Sequence, residues 1–378
     1  MDDFFTRISY KINELEKKNQ LRSLRISAPE LLDFNSNDYL GLARSEILYH
    51  RINSRIESLP HFNGATGSRL LSGNSEYAEQ VEEKLANLFK SESALIFNSG
   101  YSANLGVLSC LPLKGDTIFY DELAHACIKD GARLSLAKRY SFGHNDLDNL
   151  RSKLKRHAEG SAFIAVESIY SMDGDQCPLQ DLVRVAKEFN AVIILDEAHS
   201  TGIVGENGNG LAASLNIEQE IPLRIYTFGK AMGIHGACIA CSSSLKNYII
   251  NFSRPFIYTT ALSPHGLAAI ECAFDHLAAN PNLQQHLSQK IRLFKEYCRI
   301  ITQSGSPIQP ILVPGNNAVK EASEILCTQG FNIRPILSPT VKAGSERLRI
   351  CLHVFNEDES IRALALALNE LYINDIVN

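Results

Sequence analysis

The sequence predicts an α/β protein: a large domain on a mostly parallel sheet covered by helices, followed by a smaller C-terminal α+β domain. Three observations predict it. Apolar runs rich in β-branched or aromatic residues alternate with helical patterns, chemically distinctive polar residues close several of those runs, and the rhythm changes to long helices from about Pro264.

In chain order, ISYKINELEKKNQLRSL is amphipathic and charged, which predicts an N-terminal helix outside the main core. ALIFNSG, DTIFYDE, FIAVES, AVIILDE, RIYTFG and ACIACSS read as strands. Between several of them lie the helical patterns SANLGVLSCL, HACIKDGARLSLA and PLQDLVRVAKEFN. Continuous apolar strands interleaved with helices mean a sheet buried on both faces. Beyond Pro264, HGLAAIECAFDHLAANP and LQQHLSQKIRLFKEYCRII predict two long helices. The strand IQPILVPG, the helix AVKEASEILCTQG, the strand RLRICLHV and the helix ESIRALALALNELY follow. The expected division is an arm over 1–35, a large domain over 36–263 and a small domain over 264–378.

Composition excludes several functions. With 378 residues, 45% of them hydrophobic and 21% charged, the chain can bury a sizeable core. The net charge is −5 and no basic run stands out, which argues against a nucleic-acid surface. The start, MDDFFTRISYK, carries two acids and lacks the apolar stretch of a signal peptide, and no run of about 18 apolar residues predicts a membrane helix. Nine cysteines are scattered singly except Cys238 and Cys241, whose CIAC lies in a buried-strand pattern with no second pair to complete a zinc site. Reduced core thiols, no metal and a cytoplasmic location are the expectations.

The stretch AVIILDEAHSTG contains DEAH, an acidic box familiar from nucleotide hydrolases. That reading needs a phosphate loop, G-x-x-x-x-G-K-[ST], upstream. The only Gly-Lys pair in that region, Gly229-Lys230, lies downstream, with Ala231 after it and Arg224 where the first glycine belongs. GNGLAA, Gly208–Ala213, fits a dinucleotide fingerprint by letters, but no clear strand runs into it and no strand-end acid follows at the required distance.

Open α/β sheets bind ligands beyond the carboxyl ends of their strands, so the residues there carry the chemistry. One apolar run ends in Asp196, with His199 close behind, and RIYTFG ends in Lys230. A lysine and a carboxylate at two strand ends are the parts of a pyridoxal phosphate site: the lysine forms the Schiff base and the acid holds the pyridine nitrogen protonated. The phosphate would take the N–H groups of Gly100 and Tyr101 at a helix start and the Thr227 hydroxyl, and His125 could stack on the ring. Singly, an aspartate after a strand also serves as a helix cap and a histidine as a core residue; their joint order is what points to the cofactor.

FNSNDYLGLA, GSRLLSG, FNSGYSAN, DELAHA, HND (His144–Asp146), ESIYSMDGD, LDEAHSTGIVGENGNG and YTFGKAMGIHGA together resemble the α-oxoamine synthases, pyridoxal phosphate enzymes of fold type I, over nearly the whole chain. The resemblance implies the fold type I transferase architecture with a seven-stranded-type sheet. It implies Lys230 as Schiff-base lysine and as the base that removes the Cα proton, Asp196 on the pyridine nitrogen, His125 stacked on the ring and His199 at the phenolic oxygen. Gly100, Tyr101, Ser171 and Thr227 would contact the cofactor. Thr259 or Thr260 would reach the phosphate bound by the partner subunit, since the family's sites lie at a homodimer interface. Arg349 would clamp the amino-acid carboxylate with Asn37 nearby, and Arg22 and Thr340 match substrate positions, with Arg25 rivalling Arg22.

The implied reaction is a decarboxylative Claisen condensation of L-alanine with a pimeloyl thioester, in biotin biosynthesis. Coenzyme A or acyl carrier protein would carry the thioester. The sequence departs from the family pattern at Ala78, where a histidine is usual, and at Asn74, where tyrosine or threonine is common. Two alternatives stay open: another synthase of the family acting on a different substrate pair, such as one making aminoketobutyrate, aminolevulinate or a long-chain ketone, and a non-catalytic partner subunit. Retention of Lys230 and Asp196 speaks against the second.

Overall fold

The computed structural model describes residues 2–24 and 26–373, so Arg25 lies outside the described residues. The chain forms two compact units. The larger comprises Asn37–Ser171 and Asp175–Gln285; the smaller gathers the chain up to Ser36, the short piece Met172–Gly174 and the chain from His286 onward.

The expected boundaries at 35/36 and 263/264 compare with 36/37 and 285/286 in the structure. The second differs because helix Pro264–Ala279 packs on helices Glu46–Glu57 and Glu76–Leu88 of the larger unit, burying Leu267, Ile270, Phe274 and Leu277. The N-terminal segment belongs to the smaller unit through β1 (Leu32–Asp33) and the fully buried Phe34. Its helix Asp2–Lys17 carries Phe4, Phe5, Ile8 and Ile12 exposed, in keeping with a helix outside the core.

Seven strands build the sheet of the larger unit. They are β2 (Ser93–Phe97), β3 (Thr117–Asp121), β4 (Lys138–Phe142), β5 (Ala162–Glu167), β6 (Val192–Asp196), β7 (Leu223–Thr227) and β8 (Ala237–Cys241), in the order β2-β8-β7-β6-β5-β3-β4. Neighbours run parallel except β8, which is antiparallel to both β2 and β7. Every residue of β2, β5, β7 and β8 is buried, as a sheet covered on both faces requires. The six apolar runs are six of these strands. The seventh, β4, is the edge strand KRYSF, whose exposed Lys138 and Arg139 discourage further pairing and also hide it from a search for apolar runs. Cys238 and Cys241 are buried in β8; all nine cysteines are free, and all but Cys327 are buried.

In the smaller unit, β9 (Ile308–Leu312), β10 (Phe331–Asn332), β11 (Pro335–Ile336) and β12 (Arg347–Cys351) complete the strands. β1 pairs parallel with β10, and β11-β12-β9 form an antiparallel sheet. Helices Asn316–Thr328 and Asp358–Ile373 supply Val319, Leu326, Leu364 and Leu368 to a core shared with Phe34, Leu348 and Ile350. No helix among the described residues is long and apolar enough to cross a membrane.

Candidate active site

Three neighbouring strands of the larger unit end at one place. β5 closes with Glu167, β6 with Asp196 and β7 with Thr227, and Lys230 stands in the turn just after β7. The register sets Glu167 beside Asp196 and Asp196 beside Ile225. These ends open on a cavity of about 250 Å³ also lined by Asn37, Gly100, Tyr101, Asn104, His125 and His235. Sequence reasoning named seven of its residues: Asn37, Gly100, Tyr101, His125, Asp196, Thr227 and Lys230.

Asp196 is 4% exposed and fixed at both oxygens. Oδ1 accepts the Ala198 N–H at 2.8 Å and Oδ2 accepts from Asn104 Nδ2 at 2.8 Å, so the carboxylate cannot rotate away without breaking two bonds. The turn that presents Lys230 is closed by backbone bonds, Gly233 N–H to the Lys230 carbonyl at 2.9 Å and Ile234 N–H to the Phe228 carbonyl at 3.0 Å. Gly233 has φ of 65° and a Cβ there would lie 2.2 Å from Ala43 N, so only glycine fits this turn.

His125 caps the N-terminus of helix Ala126–Leu134. Its Nδ1 accepts the Cys127 N–H at 3.2 Å and lies 2.9 Å from Cys127 Sγ. Burial, with help from the positive charge of Lys230, lowers its pKa. The ring is therefore neutral near pH 7 with its proton on Nε2, which suits an apolar stacking face.

Helix Gly100–Cys110 begins at the cavity, with Gly100 and Tyr101 in its lining. Ser99 caps it by accepting the Ser102 N–H at 3.2 Å, which leaves the N–H groups of Gly100 and Tyr101 as unspent donors of the first turn. Facing them, Thr227 Oγ1 is buried and has no hydrogen-bond partner among the described residues. A Cβ on Gly100 would lie 2.1 Å from Thr227 Cγ2, so the missing side chain is what keeps this corner open. An orphaned buried hydroxyl beside two helix N–H groups fits the phosphate of pyridoxal phosphate. The Tyr101 side chain turns away and donates to Asp130 Oδ2 at 2.5 Å, so its part in such a site is its backbone.

Other predicted residues lie elsewhere. His199 is 3% exposed, and its Nδ1 is 2.9 Å from the Tyr39 hydroxyl, which donates its own proton to Asn37 Oδ1 at 3.0 Å. The hydroxyl has one proton, so Nδ1 of His199 is the donor to it. Ser171 is buried in the loop after β5 and does not line the cavity. Thr259 accepts from Asn98 Nδ2 at 3.3 Å in a separate small cavity with Arg69, and Thr260 is exposed. Arg22, Thr340 and Arg349 belong to the smaller unit. There Arg22 Nη2 donates to Thr340 Oγ1 at 3.1 Å, and Arg349 is 7% exposed with Nη1 2.9 Å from Cys351 Sγ. Asn74 bridges Arg69 Nε at 2.7 Å and Glu79 Oε1 at 2.8 Å, and Ala78 is buried on helix Glu76–Leu88.

Two acids were not singled out by sequence reasoning. Glu167 lines the cavity and carries the same signal as Asp196, a carboxylate closing an apolar strand. Glu197, the other acid of DEAH, is fully buried and accepts the N–H groups of Leu211 and Ala212, each at 2.9 Å, together with the Ser200 hydroxyl. A Cβ on Gly210 would lie 2.9 Å from its carboxyl, so GNGLAA is a glycine turn built around an internal carboxylate.

The histidine of HND is a structural cation. His144 Nδ1 is 3.0 Å from Asp121 Oδ1 and Nε2 is 2.8 Å from Asp175 Oδ2. Burial disfavours its charge, but the two carboxylate bonds outweigh burial and lift its pKa to about 10. A raised folded-state pKa means stabilisation complete below the unfolded value of about 6.5 and lost as pH rises through about 10. The difference in unfolding midpoint between the wild type and His144→Asn is therefore expected to be largest below pH 6.5 and to vanish above pH 10. Denaturant titrations across that range check it, and a gap independent of pH contradicts a charged His144.

The model of the family "Aminotransferase class I and II" matches residues 29–366. The chain is 38% identical to an 8-amino-7-oxononanoate synthase of Emericella nidulans, covering 92% of this chain and 91% of that protein. It is 37% identical to one of Lysinibacillus sphaericus, with 93% of each covered. Among solved structures, an 8-amino-7-oxononanoate synthase of Francisella tularensis superposes with a TM-score of 0.77 at 28% identity, over 91% of this chain and 99% of that one. A serine palmitoyltransferase of Sphingomonas wittichii gives 0.86 at 24% identity over 100% and 99%, a likeness of fold. With the family's model and these relatives spanning most of its length, the chain belongs to the class I and II aminotransferase family and, within it, to the pyridoxal-phosphate-dependent α-oxoamine synthases.

Proposed function

We propose that the protein condenses L-alanine with a pimeloyl thioester to give 8-amino-7-oxononanoate, CO2 and free thiol, the biotin-biosynthetic reaction for which its relatives are named. The observation that carries the reading is the shared cavity: Lys230, Asp196, His125, the Gly100 and Tyr101 N–H groups and the orphaned Thr227 hydroxyl meet around one space of cofactor size.

When bound, pyridoxal phosphate supplies the electron sink for a carbanion at the amino acid's Cα. The chain's residues do the rest. Lys230 would hold the cofactor through Nζ and would serve as the base for the Cα proton of the bound amino acid. Asp196, held by Asn104 and Ala198, keeps a proton on the pyridine nitrogen. The helix N–H groups and Thr227 would bind the phosphate, and His125 would cover one ring face. Arg349 is assigned to the substrate carboxylate, a task for a bidentate guanidinium, with Asn37, Arg22 and Thr340 as further substrate contacts and Ser171 and His199 as cofactor contacts; these assignments rest on the resemblance.

We also read the working form as a cytoplasmic homodimer. The placing of Thr259 and Thr260 apart from the Lys230 cavity supports their serving the cofactor of a second copy. The thioester carrier in this reading is coenzyme A or acyl carrier protein.

The test is CO2 release by the reconstituted protein with L-alanine, glycine or L-serine, each with and without pimeloyl-coenzyme A or pimeloyl-acyl carrier protein. Release that needs both L-alanine and a pimeloyl thioester is the expected result. A preference for glycine or serine moves the protein to another synthase of the family, and a protein that takes up no pyridoxal phosphate overturns the reading.

A further inference from the structure

We propose that Glu167 is a positioning residue for the cofactor, accepting the backbone N–H of His125 and so fixing the imidazole over the ring. The proposal rests on the pyridoxal phosphate reading above.

Glu167 Oε1 accepts the His125 N–H at 2.6 Å across the gap between the end of β5 and the loop after β3. Earlier in that loop Asp121 accepts the Leu123 N–H at 2.8 Å on its side chain and the Ala124 N–H at 3.0 Å on its carbonyl, and the Glu122 N–H donates to the Phe142 carbonyl at 2.9 Å; the Glu167 bond holds its far end, at His125. His125 is the residue at which the loop becomes helix Ala126–Leu134. Its ring is pinned on one side by the Cys127 N–H on Nδ1, and its backbone is pinned on the other by Glu167. With both ends held, the stacking face has one orientation.

The placement of this carboxyl is costly, which argues for a task. Glu167 is 2% exposed, lines the cavity and stands in register beside Asp196, so two acids share one buried strand-end face. Packing alone would be served by an apolar side chain of the same volume. Burial, and next the neighbouring Asp196, push its pKa upward.

The experiment reconstitutes the wild type, Glu167→Gln, Glu167→Ala, His125→Ala and the double variant Glu167→Ala/His125→Ala with pyridoxal phosphate. It reads the dissociation constant and the circular dichroism induced in the cofactor's visible band. Gln keeps the acceptor, so the induced signal is expected to survive with affinity within about threefold of wild type, whereas Ala is expected to weaken affinity about tenfold or more and to lose most of the signal. In the His125→Ala background the Glu167→Ala loss should disappear, because the carboxyl acts through that ring. Glu167→Met, which keeps volume and removes only the acceptor, repeats the test where Ala unfolds the chain. An equal loss in both backgrounds, or an unchanged signal in Glu167→Ala and Glu167→Met, overturns the proposal while leaving the cofactor reading intact. A wild type that binds no pyridoxal phosphate overturns both.

Discussion

Lys230→Ala is expected to lower turnover on the order of 10³-fold or more, because one side chain is asked both to hold the cofactor and to move the Cα proton. The fold should be untouched. The turn at Lys230 is closed by backbone bonds from Gly233 and Ile234 and by the steric demand for glycine at 233, none of which involves the lysine side chain. Thermal unfolding of the cofactor-free variant should thus match that of cofactor-free wild type, while borohydride treatment of the loaded proteins, which locks a lysine-bound cofactor in place, adds the cofactor's mass to the wild type alone. A variant with normal turnover would falsify the assignment of Lys230.

Asp196→Asn is the second large effect, a loss of roughly 10²- to 10³-fold in turnover, the scale expected when a buried ionic partner is removed. The amide is nearly isosteric, and the Ala198 N–H keeps an acceptor at Oδ1. Asn104 Nδ2 donates both to Asp196 Oδ2 and to the Gly100 carbonyl at 3.0 Å, so it cannot turn its oxygen toward the new NH2 without losing the second bond. Stability should consequently fall by about 1–3 kcal/mol, the scale of one unmade buried hydrogen bond, and the cofactor's affinity and absorbance should change much. Should turnover persist near the wild-type level, the carboxylate is not what holds the ring nitrogen protonated.

Much of this was legible in the sequence because strands buried on both faces leave unbroken apolar runs. Six of the seven sheet strands announce themselves that way, and the polar residues closing the parallel strands β5, β6 and β7 mark the ligand end of the sheet, while antiparallel β8 ends at the opposite side. β4 escaped because an edge strand with Lys138 and Arg139 outward has no such run. Helices Glu46–Glu57, Glu76–Leu88, Leu147–His157 and Ser243–Phe252 were passed over although Ser45, Ser75, Asp146 and Ser242 cap each one through a side-chain oxygen, a signal present in the letters. Helix Pro264–Ala279 shows the limit of rhythm as a guide to boundaries: what a helix packs against is a tertiary fact. In the site, Asp196 and Lys230 were readable by residue type and order. Glu167 closes its strand as Asp196 does, but its bond to the His125 N–H on another loop has no trace along the chain.

The seat of Glu197 ties two parts of the molecule into one mechanical piece. Its backbone N–H donates to the Ile225 carbonyl on β7 at 2.8 Å, and its carboxyl holds the amides of Leu211 and Ala212, some fourteen residues further along the chain. Asp196 is its immediate neighbour. Any breathing of the glycine turn at 208–212 is therefore felt at Asp196, and exchange of the Leu211 and Ala212 amides with deuterated solvent becomes a clock for the rigidity of the cavity floor.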